Sequence, residues 1–223
     1  MLHSKGTSHM DDTFTLDVDQ AREIKHAAKR NGATNADLKS LSSGDMFAKI
    51  LPILRGYGEV VVKLLQALGE VAFPGATNFV AKDHFVKDTS DTATVKILDL
   101  GSNFTTWFIG KVEAKVAPST IGYGKLLQWA KGTVILAFLG GETKAETSLA
   151  EIFHLMSLQA NGGVSVLLTN GLANIFFVRD VSGVLRVVRV LWSGGGWYLG
   201  AFEASRASGW GDGVQVFSRK LAA

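Results

Sequence analysis

Apolar and polar positions change their period part-way along this chain, and the change divides it. In "QAREIKHAAKR", Ala21, Ile24, Ala27 and Ala28 recur at helical spacing. Asp17 or Asp19 can cap the start of that helix, and Asn31-Gly32 can end it. Asn35 can cap a second, short helix carrying Leu38 and Leu41. Ser43 or Asp45 can open a third, "MFAKILPILR", which ends at Gly56 and which Pro52 should kink or shorten. These segments predict a helical module over residues 11–70.

From Thr77 the pattern turns to strands. "NFVAKDHFV", "TATVKILDL" and "TTWFIGKVEAKV" are short β-rich runs with turn chemistry between them. "STIGYGKLLQWA" reads as a short helix and "TVILAFLG" as a buried strand. "ETKAETSLAEIFHLMSLQANGG" is the clearest helix. Ser148 or Thr147 caps it, Glu151 stands at capping-box spacing, and Leu149, Ile152, Phe153 and Met156 form its apolar stripe. "SVLLTN", "ANIFFVRD", "VLRVVRVLW", "WYLGAFEA" and "GVQVFSR" then read as strands, with a hairpin turn from Asp180 to Gly183. Residues 71–219 are therefore expected to form an α+β domain whose last third is antiparallel sheet.

Alternation along "WYLGAFEA" sorts its side chains. Trp197, Leu199 and Ala201 fall on one face, and Tyr198, Gly200 and Phe202 on the other. The first set suits a core. The second either packs into another layer or presents Tyr198 and Phe202 as a binding face between glycine loops.

Composition removes several classes of function. Hydrophobic residues are 47% and charged residues 19%, a globular balance. The run Val134–Leu139 is far too short to cross a bilayer, and "VVVKLLQALGEVAF" is cut by Lys63, Gln66 and Glu70. With no cysteine there is no disulfide framework, thiolate metal site or thiol nucleophile. The net charge of +3 leans on the segment after residue 170, where Arg179, Arg186, Arg189, Arg206, Arg219 and Lys220 face Asp180, Glu203 and Asp212. That excess is thin for a nucleic-acid footprint. "MLHSKGTSHM" and residues 220–223 resemble tag and vector remnants, and location stays open.

Catalytic and metal constellations are not evident. His26, His84 and His154 lack partners at ligand spacing, and no HExxH or GxSxG occurs. Glu142, Glu146 and Glu151 cluster near a helix start, where complementing the helix dipole is their simplest role. The expectation is a non-enzyme without cofactor or metal.

"DHFVKDTSDTATVKILDLGSNFTTWFIGKVE", "LGGETKAETSLAEIFHLMSLQANG" and "LLTNGLANIFFVRDVSGVLRVVRVLWSGGGWYLGAF…WGDGVQVFSR" together resemble a family from candidate-phylum, ultra-small bacteria and metagenomes, a likeness running from about Phe14 to Arg219. It brings no activity with it. The last forty residues also resemble the terminal segment of C-type-lectin-fold variable proteins diversified by retroelements. That likeness implies a scaffold of Trp197, Ala201, Trp210, Gly213 and Phe217. It implies a ligand face of Tyr198, Gly200, Phe202, Arg206, Gly211 and Asp212. The calcium-binding Glu-Pro-Asn and Trp-Asn-Asp motifs of calcium-dependent lectins are missing. The expected function is binding a protein or cell-surface ligand. The alternatives are an assembly protein that homo-oligomerises through the helical module and, less favoured, a nucleic-acid binder.

Overall fold

Asp17 starts the first helix because its carboxylate accepts the Gln20 N–H at 2.7 Å, while the Gln20 side chain accepts the Asp17 N–H at 3.2 Å. The computed structural model describes residues 16–43, 46–56 and 63–219. The expected ends at 1–10 and 220–223 lie outside those residues, as do the expected cap Asp45 and the segment 57–62.

The chain divides into two units, at residues 61 and 62. The first holds α1 (Val18–Arg30), α2 (Asn35–Leu41) and α3 (Met46–Leu54). Thr34 caps α2 in a second reciprocal box with Asp37, one residue before the expected Asn35. Pro52 lies inside α3, close to its end. No described residue of these three helices is buried.

The second unit begins earlier than the sequence pattern indicates. Residues 65–70 belong to a strand, β1 (Leu65–Phe73), rather than to the helical module. Then come β2 (Ala76–Val80), α4 (Ala81–His84), β3 (Ile97–Leu100), α5 (Ser102–Phe108), β4 (Val112–Val116), β5 (Ser119–Leu126), α6 (Gly132–Phe138) and α7 (Glu142–Ala145). They are followed by β6 (Glu146–Thr147), α8 (Leu149–Ser157), β7 (Asn174–Arg179), β8 (Leu185–Ser193), β9 (Gly196–Glu203) and β10 (Gln215–Ser218). Among the described residues the main sheet runs β1-β5-β10-β7-β8-β9-β3, with β6 beside β7, while β2 and β4 form a separate pair. The unit is α+β. Its sheet is mixed: β7, β8 and β9 are antiparallel neighbours, as expected of the last third, while β10 runs parallel to β7, β3 to β9 and β6 to β7.

The centre of this sheet is apolar on both sides. Phe176 and Val178 of β7 enter one core with Phe104, Phe108, Ile152, Met156, Val188, Val190 and Trp197. Ile175 and Phe177, the alternate positions, enter a second core with Leu126, Ile135, Leu139, Val187, Val216 and Trp210. A strand covered on both faces needs a continuous apolar run, which is why "NIFFV" shows no alternation. Each fully buried Phe in these layers contributes about 1.5–3 kcal/mol.

Several element types differ from expectation, each for a local reason. "STIGYGKL" is strand β5, with Ile121 and Tyr123 toward the first core and Leu126 in the second. Its Gly124 lets β1 approach, since a Cβ there would stand 2.8 Å from the Gln66 carbonyl. "TVILAF" is helix α6, because Ile135 and Leu139, one turn apart, face the second core while Val134 stays exposed. A short apolar run fits either period until its neighbours are known. "TTWF" lies in α5, which buries Phe104 and Phe108 at helical spacing. "SVLLTN" is a loop. Gln159 satisfies the Leu167 N–H and the Gly163 and Leu167 carbonyls, and Asn174 satisfies the Leu168 N–H and C=O. Two side-chain amides do the work that a partner strand would have done.

α8 follows expectation at its start. Ser148 caps it, and the buried Glu151 accepts the Ser148 N–H at 2.7 Å and the Ser119 hydroxyl at 2.6 Å. The helix is shorter than its sequence suggested, because residues 142–147 break into α7 and β6. Phe153 is partly buried against the first core.

Candidate functional site

β9 is the strand on which the sequence concentrated its expectations. It is held on one side by β8, antiparallel from Arg186–Glu203 to Ser193–Gly196, and on the other by β3 in parallel. Gly196 permits the second contact, since a Cβ there would lie 2.8 Å from the Leu98 Cβ. Gly194 and Gly195, at φ 61° and 87°, make the tight turn from β8.

The predicted alternation is present. Trp197, Leu199 and Ala201 are buried in the first core. Tyr198, Gly200 and Phe202 point the other way, and there they part company. Phe202 packs against the rim of the second core, edge-on to Trp210 at 5.6 Å. Tyr198 is half-buried, and Gly200, though buried, is a floor without a side chain. Tyr198, Gly200 and Phe202 line a shallow cleft of about 180 Å³ with Asp99, Gly101, Ser102, Asn103 and Arg189. Asn103 donates its side-chain N–H to the Ala201 carbonyl at 3.2 Å, tying α5 to the strand.

Two guanidiniums attend the Phe202 ring. Arg189 lies directly opposite Gly200 in the β8–β9 ladder, with its guanidinium carbon 5.2 Å from the ring centre. The Arg206 carbon stands 4.2 Å from the same centre and 5.7 Å from that of Trp210. Arg206 donates to the Ser208 hydroxyl. Burial, and then the charge of Arg206, pull the Arg189 guanidinium below its ordinary pKa. On the cleft wall, Asp99 is ion-paired with Lys87, whose hydrogen bond holds the carboxyl below its usual range.

Arg206, Gly211 and Asp212 belong to the loop between β9 and β10. Of these only Arg206 reaches the face, through Phe202. Gly211 and Asp212 are exposed and line no part of the cleft. The loop is pinned elsewhere: Trp210 and Ala130 exchange backbone hydrogen bonds, and the Trp129 indole donates to the Ser208 carbonyl at 2.9 Å. Arg189, Asp99, Ser102 and Asn103 were not foreseen. Arg189 carried a signal in the sequence, as a charge at an inward position of the apolar strand "VLRVVRVLW".

The remaining candidates take structural places. His84 stacks on Phe79 at 4.2 Å, and His154 meets Phe73 edge-on at 5.4 Å. Glu142 and Glu146 both bind Arg179. Among the described residues no three His, Asp or Glu side chains gather as a metal site. None of their helices is long and apolar enough to cross a membrane. Compared with known proteins, the chain matches no family model, no curated protein and no solved structure.

Proposed function

We propose that this protein is a ligand-binding module, and that its ligand rests on the Tyr198–Gly200–Phe202 face of β9. The observation that carries this reading is the split nature of that strand. One face is fixed in the core, while the other opens at Tyr198 and Gly200 into a cleft lined by polar groups. An aromatic on a strand held from both sides binds at small ordering cost. A volume near 180 Å³ admits one functional group rather than a whole small molecule, which suits a protruding part of a protein or surface ligand. Retroelement diversification of the segment 190–219 remains part of this proposal, with Tyr198, Arg206, Gly211 and Asp212 as the positions free to vary. The experiment is a displayed library randomised at these four positions. Most members should fold, and some should bind new ligands. A library that is mostly unfolded overturns the reading.

A second reading rests on the helical unit. Its described residues include exposed Ile24, Phe47, Leu51, Ile53 and Leu54, apolar area that self-association would cover. Light scattering of the full chain beside a Phe47→Ser/Leu54→Ser variant tests it: a larger mass lost in the variant supports assembly, and two monomers reject it. Nucleic acid is less favoured, because Arg179 and Arg186 are each bound by carboxylates.

A further inference from the structure

The arginines of the main sheet are not equivalent. Arg179 holds Glu142 and Glu146, and Arg186 holds Asp180 at 2.9 Å and Glu203 at 3.5 Å. Arg189, on the same strand as Arg186, has no ion-pair partner among the described residues, and its Nε is buried without a hydrogen-bond acceptor. A buried charged donor left unmet is costly, and the Phe202 ring offsets only part of that cost. Arg206, also without a carboxylate among the described residues, adds a second positive charge across the same ring.

Gly200, with no side chain, leaves space in the cleft beside the Arg189 guanidinium. It faces Arg189 across the ladder. A Cβ there would lie 3.4 Å from the Phe202 ring and 3.6 Å from the Arg189 terminal nitrogen, so alanine fits and a longer side chain fills the cleft.

We propose that the cleft is an anion site, in which Arg189 clasps a carboxylate of the ligand over Gly200, Arg206 adds to the attracting field, and Tyr198 covers the apolar group bearing the carboxylate. A guanidinium presents paired donors that match a carboxylate's two oxygens. Phosphate offers the same oxygens with more charge, and Asp99 on the cleft wall opposes a dianion more strongly than a monoanion. The depressed pKa of Arg189 has the same origin, a buried cation with a like charge beside it, and an anion would relieve both. This assignment rests on the β9 face being the binding face.

The test is a titration of the full-length protein, uniformly labelled with 15N and 13C, followed through the arginine Nε–Hε and tyrosine ring resonances. Benzoate, its neutral counterpart benzamide, and inorganic phosphate serve as probes. Benzoate should shift the Arg189 Hε and Tyr198 ring signals saturably. It should bind at least tenfold more tightly than benzamide or phosphate. Arg189→Met, which keeps the apolar stem, should weaken benzoate at least tenfold without lowering the melting temperature, because it removes an unmet charge. Gly200→Ala should retain benzoate binding and Gly200→Leu should lose it. Phosphate binding as tightly as benzoate overturns the carboxylate assignment, and a large fall in melting temperature for Arg189→Met makes that residue structural and overturns the site. If benzamide shifts Tyr198 as benzoate does while Arg189 stays silent, the anion proposal fails and the binding-face reading survives. Silence of Tyr198 and Arg189 toward all three probes rejects the anion site, whereas the binding-face reading is judged separately by the displayed library.

Discussion

Trp197 and Tyr198 are adjacent on β9, yet the first is fully enclosed in the sheet's larger core while the second stands half-buried at the edge of a cleft. A strand turns successive side chains to opposite faces, so one residue step separates scaffold from surface here.

That contrast sets the stability expected of four variants. Trp197→Ala and Trp210→Ala each empty a buried site and should cost about 3–5 kcal/mol. Tyr198→Ala should cost least, about 1 kcal/mol, because its half-buried ring enters neither core. Phe202→Ala should fall between, near about 2 kcal/mol, because its ring is half in the second core and edge-on to Trp210. Urea denaturation of the four proteins checks the order. Tyr198→Ala as damaging as Trp197→Ala would mean that both faces of β9 are core.

The glycines of "GWGDG" should separate in the same way. Gly209 has φ 54°, and a Cβ there would meet the Trp129 ring at 2.6 Å and the Ala130 carbonyl at 2.8 Å. Gly211 has open space around it. Gly209→Ala should therefore lower the melting temperature by several degrees and change the emission of Trp129, whereas Gly211→Ala should do neither. Equal behaviour of the two would contradict the pinned loop.

Asp180 ties the β7–β8 turn to Arg186, and its carboxylate is almost wholly buried. Burial is the largest single influence and acts to raise its pKa. Hydrogen bonds from Arg186, Val184 and Ser182, with the charge of Arg186, together outweigh it, and the net shift is downward. A carboxyl depressed in the folded state contributes stability above its unfolded pKa of about 3.9, and that stability is lost as pH falls through the folded value. Acid denaturation should thus steepen below about pH 4. Asp180→Asn should flatten that limb and cost about 1–3 kcal/mol at neutral pH, because Arg186 keeps Glu203 as its one ion-pair partner among the described residues. Melting both proteins from pH 2 to pH 7 gives the comparison.

Thermal melts with and without a strong chelator should overlay, since among the described residues no three acidic or histidine side chains gather as a metal site. A fall of several degrees with chelator, restored by calcium, would reveal a carboxylate–carbonyl site.

Whatever depends on neighbours a few residues away could be read from the local pattern alone. The Asp17 cap, the Ser148–Glu151 box, the Asp180–Gly183 turn and the alternation of Trp197 with Tyr198 were legible because their partners lie within one turn or one strand. The remainder depended on contacts between distant segments. "STIGYGKL" and "TVILAF" exchanged their expected types because short apolar runs take the period of the surface they meet. β10 lies inside the sheet, antiparallel to β5 and parallel to β7, the latter a pairing between segments about forty residues apart that no local pattern encodes. The cleft is of the same kind. Arg189 and Gly200 face each other only once the β8–β9 register is fixed, and Asp99 and Asn103 arrive from segments some hundred residues earlier in the chain. A side chain's face follows from chain geometry, but what stands opposite it follows from packing.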